Sequence, residues 1–202
     1  MSQTPVREAL ARLESDGLIA KEPLKGYKAT ELLSIKELND LFQFRLLIEP
    51  WAAEQAAKVI DNTGKTALKA EMQSAKTALK FAGDGQFQAL TEHDSRFHTL
   101  VASISGNNTV AEFYERTHCH LHLFRLYMAN KLHLIDGESR AEFVQDLFEK
   151  YYQSGSGQLA IKEHDAIAKA ILEQNPKAAK VAMHAHIESS LKRFSPAAAA
   201  RN

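Results

Sequence analysis

The sequence has a single cysteine, no long hydrophobic run and no surplus charge of either sign. One thiol, Cys119, among 202 residues cannot form an intramolecular disulfide, which excludes a disulfide-stapled scaffold. No stretch reaches the roughly 18 consecutive apolar residues of a membrane span, and none resembles a signal peptide, so the cytoplasm is the expected compartment. Lys plus Arg and Asp plus Glu number 25 each. Whole-chain charge therefore does not advertise nucleic acid, although the balance leaves room for a local basic patch. There is no internal repeat. What is present, 45% hydrophobic and 25% charged residues, is enough for one substantial core with a small appendage.

The first thirty residues differ from the rest. Thr4 followed by Pro5 reads as a helix start, a hydroxyl cap with proline at the first helical position, and the helix is expected to run from Val6 to about Ser15. Val6, Ala9, Leu10 and Leu13 recur at helical spacing, while Ser2, Gln3, Thr4, Arg7 and Glu8 gather at its N-terminal end. Asp16-Gly17 ends it. Leu18–Lys21 and Lys25–Ala29, on either side of Pro23, read as a short β-hairpin. Helix, glycine break and basic hairpin together suggest part of a winged helix-turn-helix.

From Ser34 the pattern is helical throughout. Ser34-Ile-Lys-Glu37 is a capping box, opening a helix with Leu38, Leu41, Phe42, Arg45, Ile48, Glu49 and Ala52 on one stripe, and Pro50 is expected to kink it. Breaks at Asp61–Gly64, Gly83–Gly85, Gly106-Asn107, Asp136-Gly137, Gly155–Gly157 and Asn175-Pro176 divide the remainder into helical segments. The expected fold is mainly α, an antiparallel bundle of about six to seven helices after a partial winged helix-turn-helix. Its domains are expected at 1–30 and 31–196, with a disordered tail at 197–202.

Four residues break the apolar stripes of this bundle with metal-compatible groups. Asp94 and His98 share a face with Phe87, Leu90, Phe97, Val101 and Ile104; being four apart, they project from adjacent turns. His164 shares its stripe with Ile161, Ile167, Ala168 and Ile171, and His186 shares one with Met183, Ser190 and Phe194. The turn at Asn175-Pro176 makes those two helices antiparallel neighbours, and His164 and His186 lie at similar heights from it. A carboxylate buried without a partner costs several kcal/mol, so Asp94 needs a cation or donors. One carboxylate and three imidazoles suit a borderline divalent ion, Zn²⁺ first, with Ni²⁺ or Mn²⁺ also compatible. The alternative is a satisfied core, with hydrogen-bonded histidines and Asp94 as a buried cap or a partner of Arg45.

Other groups compete for the same space. His118 and His122, four apart on the helix of Leu121 and Phe124, could replace a ligand or line the cavity; His93, His120, His133 and His184 are expected at the surface. Arg45 and Glu49 point inward, either as an i,i+4 ion pair or with Arg45 holding a carboxylate ligand on its planar fork.

Residues 2–19, Ser-Gln-Thr-Pro-Val-Arg-Glu-Ala-Leu-Ala-Arg-Leu-Glu-Ser-Asp-Gly-Leu-Ile, closely resemble the recognition helix of GntR-family transcriptional regulators, and Pro23–Ala29 resembles their wing. Arg45-Leu-Leu-Ile-Glu49, Asp94-Ser-Arg-Phe-His98, Ser105-Gly-Asn107, Glu163-His164 and His184-Ala-His186-Ile resemble the all-helical effector domain of the FadR-type (FCD) branch. The resemblance implies a homodimer on an operator with two half-sites, and a small organic acid sensed at a metal held by Asp94, His98, His164 and His186. It implies an effector-binding set of Arg45, Glu49, Asn107, His118, His122 and Arg125. It also implies DNA contacts from Ser2, Gln3, Thr4 and Arg7, with Lys25, Gly26 and Tyr27 in the wing; Arg7 and Lys25 would mostly hold phosphates. The family's DNA-binding domain opens with two further helices, whereas Met1 falls inside this motif, so residues 1–30 match only its recognition helix and wing. Gln3 and Lys25 stand where the family often has Arg, and Gln3 would suit adenine rather than guanine.

The expected function is thus a metal-dependent, organic-acid-responsive transcriptional regulator. Two alternatives stand beside it: a metalloenzyme of small carboxylic acids, with Glu49 as the inward acid-base candidate, and a truncated dimerisation partner of a full-length regulator.

Overall fold

A computed structural model of the chain describes residues 3–80, 83–122, 125 and 156–199, divided between two units, Met1–Leu33 and Ser34–Asn202. Among the described residues there are seven helices and one two-stranded sheet, so the protein is mainly α with a small N-terminal hairpin. The expected breaks at Asp136-Gly137 and Gly155, and His133, lie outside the described residues.

In the N-terminal unit, α1 spans Gln3–Ser15. It already includes Thr4, which sequence reasoning placed at the cap. Gly17, at φ +69°, takes the left-handed position that ends it, with Leu18 N–H donating to Leu13 O at 2.9 Å and Gly17 N–H to Glu14 O at 3.0 Å. Strands β1 (Ile19–Glu22) and β2 (Gly26–Ala29) pair antiparallel with Ile19 opposite Ala29. Pro23 and Leu24 form the tight turn between them: Lys25 N–H donates to Glu22 O at 3.1 Å and Leu24 sits at φ +62°. Thr30 closes the unit, its hydroxyl donating to Gly17 O at 2.9 Å. Thr4, Arg7, Lys25, Gly26 and Tyr27 are all exposed; Ser2 lies outside the described residues.

The second unit opens with α2 (Ile35–Val59), and the capping box is present in full: Ser34 Oγ accepts from Glu37 N–H, and Glu37 Oε2 accepts from Ser34 N–H at 2.7 Å. The helix continues through Pro50 without a break in its assignment. Its buried stripe runs Leu38, Phe42, Arg45, Glu49, Ala52, Ala53, Ala56 and Ala57. The alanines give α2 a low surface against which α7 (Pro176–Ala199) packs, through Ala179, Met183 and Ile187 at four-residue spacing. Residues 197–199, expected in a disordered tail, continue α7, in keeping with the high helix propensity of alanine.

Helices α3 (Asn62–Ala78), capped by Asp61, and α4 (Gly83–Ile104) pack side by side, and α4 also lies against α2. Gly106 at φ +78° and Asn107 turn the chain into α5 (Asn108–Arg116). Helix α6 (Ser156–Leu172) meets α2, α3 and α7. Its link to α7 is short for a local reason: Gln174, at φ +52°, lets Asn175 N–H donate to Ala170 O, while Asn175 Oδ1 caps α7 at Ala178 N–H and Pro176 takes the first helical position. That turn brings His164 and His186 to the same height.

Candidate metal centre

Helix α4 carries two adjacent buried stripes: Leu90, His93, Phe97 and Val101 along one, Asp94, His98 and Ala102 along the other. The second brings Asp94 and His98 inward, where His164 of α6 and His186 of α7 meet them. One ligand atom from each of these four buried residues lies within 4.8 Å of every other. His186 Nε2 is 3.2 Å from His98 Nε2 and 3.2 Å from His164 Nε2, and Asp94 Oδ1 is 3.3 Å from His164 Nε2 and 3.8 Å from His98 Nε2.

The opposite ring nitrogens decide what this convergence means. His186 Nδ1 donates to Glu163 Oε2 at 2.8 Å. His98 Nδ1 stands in close contact with Glu49 Oε2, off the line of a hydrogen bond. His164 Nδ1 meets His93 Nε2 at 2.9 Å, and His93 Nδ1 meets Glu71 Oε1 at 2.8 Å. The Nδ1 atoms of His186 and His98 therefore face carboxylates that favour a proton there, and that of His164 faces a histidine nitrogen; with the protons on Nδ1, three Nε2 lone pairs and a carboxylate oxygen are aimed at one point. Lone pairs that close repel unless a cation or proton lies among them. This donor set fits a divalent ion, with outer carboxylates orienting the imidazoles.

Electrostatics point the same way. Burial pushes the His98 imidazole down to about 4 and, with His186 adding to it, holds His164 well below the ordinary histidine range, so both present neutral rings. Burial works against the Asp94 carboxylate, yet His120, His98 and His164 hold it well below the usual carboxylate range. Among the described residues its side-chain partners are all imidazoles, His120 Nδ1 at 2.7 Å from Oδ2 being the nearest.

Arg45 and Glu49, buried together, do form the i,i+4 pair: Arg45 Nε donates to Glu49 Oε1. The guanidinium reaches further, with Nη2 at 3.5 Å from His98 Nε2 and Nη1 at 3.6 Å from Cys119 Sγ. Glu49, held by Arg45 and His98, is an anchor for the site and not a free acid-base group.

The structure places the remaining expected effector residues differently from one another. His118 lines a cavity of about 790 Å³ beside α3 and α4, together with Glu71, Ser95, Arg96, Cys119 and His120. Asn107 is spent as the exposed cap of α5, accepting from Val110 N–H at 3.1 Å. His122 and Arg125 are half-buried.

Two histidines expected at the surface are buried instead. His93 shares the helical spacing of Leu90 and Phe97, a signal visible once α4 is allowed a double-width buried face. His120 turns inward because His118, at φ +45°, breaks the chain between α5 and the helical residues 119–122 and so resets the phase. His184 is half exposed, as expected.

With the four donors on one centre in an all-helical unit, comparison with known families decides the lineage. The FCD domain matches residues 40–189. The chain belongs to the FCD-domain family, a branch of the GntR-type transcriptional regulators. The FCD match contains all four converging residues. The HTH-type transcriptional regulator YdhC of Bacillus subtilis is 23% identical over 186 residues, covering 92% of this chain and 72% of that protein. The Exu regulon transcriptional regulator of Escherichia coli K12 is 26% identical over 203 residues, covering 94% and 69%. The solved structure of E. coli McbR/YncC is 16% identical and superposes with a TM-score of 0.67 over 97% of this chain and 81% of that one, a likeness of fold. Both relatives carry the name of transcriptional regulators, in keeping with membership of a regulator family and not with the metalloenzyme alternative. No helix among the described residues is long and apolar enough to cross a membrane.

Proposed function

We propose that this FCD-domain regulator is metal-dependent, responds to a small organic acid and acts on operator DNA as a homodimer. The observation that carries the proposal is the meeting of three Nε2 atoms and Asp94 Oδ1, with the Nδ1 atoms of His98 and His186 against carboxylates and that of His164 against His93. Asp94, His98, His164 and His186 would hold the ion, Zn²⁺ first among those the donors suit. Bound there, a divalent ion supplies a Lewis-acid anchor for a carboxylate oxygen.

Arg45 supplies the second anchor. Its Nε is committed to Glu49, but among the described residues the hydrogen-bond partners of its two Nη groups are a thiol sulfur and an imidazole nitrogen, both weaker acceptors than a carboxylate. A ligand carboxylate is the better partner for that edge of the guanidinium. His120 connects the centre to the outside, with one ring nitrogen on Asp94 and its ring on the wall of the 790 Å³ cavity, a volume within the range of small-molecule pockets. In the N-terminal unit, Thr4 and Arg7 on α1 and Lys25, Gly26 and Tyr27 on the hairpin are exposed and available to DNA. Switching requires the acid to bind unequally the states that do and do not fit the operator.

The test has two readings on the same protein. Metal-loaded protein is screened by thermal shift against small mono-, di- and tricarboxylic acids, and the acids that bind are added to a titration with a DNA duplex selected from a random pool. An acid should raise the Tm of the metal-loaded protein, raise it much less in Arg45→Met, and change DNA affinity about 5- to 150-fold. Unchanged Tm and unchanged DNA affinity across the panel would remove the acid-responsive reading.

A further inference from the structure

Of the three imidazoles at the centre, two have their outer nitrogen against a carboxylate, Glu49 for His98 and Glu163 for His186. His164 is different: its outer nitrogen meets another histidine. We infer that His93 and Glu71 form a relay that positions His164 and fixes its tautomer, so that its Nε2 lone pair faces the centre. The inference rests on the metal-dependent reading above and assigns two residues that neither the sequence pattern nor the donor set includes.

For a neutral His93 ring the relay has one direction. Glu71 Oε1 lies 2.8 Å from His93 Nδ1, and a carboxylate oxygen can only accept, so Nδ1 carries the proton of the neutral ring. His93 Nε2 is then a bare acceptor 2.9 Å from His164 Nδ1, and the proton between them belongs to His164. In the reverse arrangement, with His93 Nε2 donating, the Nδ1 lone pair would face the carboxylate, which is repulsive. His164 Nε2 is left unprotonated, toward His186 Nε2 and Asp94 Oδ1. Phe97, stacked on the His164 ring at 4.2 Å and 15°, leaves that ring little room to reorient.

The far end of the relay is fixed as well. Glu71 Oε2 accepts from Arg96 Nε at 3.0 Å, and Arg96 Nη2 donates to Ser74 Oγ at 3.2 Å. His93 is 1% exposed, Glu71 is mostly buried and Arg96 is half exposed, so the chain runs from the core toward the protein surface.

The experiment compares His93→Phe, His93→Gln and Glu71→Gln in the full chain. Phe keeps the ring and its packing but cannot accept a proton; Gln can accept with its oxygen and donate with its nitrogen. Two readouts are taken: Zn²⁺ affinity by competition with a chromophoric chelator, and the His164 tautomer from long-range ¹⁵N spectra of the metal-free protein. His93→Phe should weaken Zn²⁺ binding about 10- to 100-fold and move the His164 proton from Nδ1 toward Nε2, with His93→Gln restoring most of both. A residue that only fills space would lower Tm without changing the tautomer. If the wild type binds Zn²⁺ and His93→Phe matches it in affinity and tautomer, the relay is wrong and the metal reading stands. If the wild type binds no Zn²⁺, the metal reading falls, and the tautomer comparison still judges the relay by itself. Should His93→Phe fail to fold, Glu71→Gln against His93→Gln carries the test: the relay predicts a His164 tautomer shift in Glu71→Gln and a near-wild-type spectrum in His93→Gln, and a wild-type spectrum in both would overturn it.

Discussion

Glu49→Ala should lower the free energy of unfolding by about 3–5 kcal/mol, measured by denaturant titration of the metal-free protein. The carboxylate is buried, with Arg45 on one oxygen and His98 against the other. Burial works against its charge, yet Arg45 and His98 hold it well below the usual carboxylate range. Burial likewise works against the Arg45 guanidinium, and Glu49, with Cys119 and Tyr114 adding to it, outweighs that burial. Removing Glu49 thus strands a buried cation that cannot shed its proton. The double variant Arg45→Met/Glu49→Leu, which removes both charges together, should recover much of the loss. The single variant should also weaken metal binding, because His98 loses the acceptor that orients it. Near-wild-type stability in Glu49→Ala would show that the pair does not bear on the core as the geometry indicates.

The second large effect is acid sensitivity. His98 and His164 are held below their ordinary range in the folded protein, His98 at about 4, whereas in the unfolded chain they return to about 6.5. Between those values the unfolded state binds more protons, so the stabilising contribution is full above about 6.5 and is lost as pH falls toward 4. Each of the two groups contributes a slope of up to about 1.4 kcal/mol per pH unit across its window. Denaturant midpoints of the metal-free protein should therefore drop steeply from pH 6.5 to pH 4.5. His164→Phe, which removes one titrating ring and keeps an apolar core, should flatten that slope. A midpoint independent of pH over this window would contradict the burial of neutral imidazoles.

The residues that could be read from sequence are those set by helical phase within one element or across a short turn. Asp94 and His98 follow from four-residue spacing on α4, and the height of His164 against His186 follows from the turn at Gln174–Pro176. The capping box at Ser34 and Glu37 was legible because both partners lie within one helical turn. What escaped depends on several elements at once. His93 is buried because α3 packs along α4 on that side and His164 of α6 meets its ring, which makes the buried face of α4 wider than a single stripe suggests. Its acceptor, Glu71, lies on a different helix, and no spacing in the sequence pairs them. His120 turns inward only because His118 adopts a left-handed conformation, and a histidine at that position carries no obvious turn signal. Asn107, chosen by family resemblance as an effector residue, serves as a helix cap, a role that the preceding Gly106 makes understandable.

Metal content tests the central claim most directly. Protein purified without chelators is measured by elemental mass spectrometry beside His164→Ala and His186→Ala, with circular dichroism to show that the variants are folded. The account predicts about one divalent ion per wild-type chain and its loss from both variants, since each removes one of the four protein ligands. A wild-type protein that is metal-free and cannot be reloaded with Zn²⁺, Ni²⁺ or Mn²⁺ would contradict it, and would make the three converging imidazoles a hydrogen-bonded core.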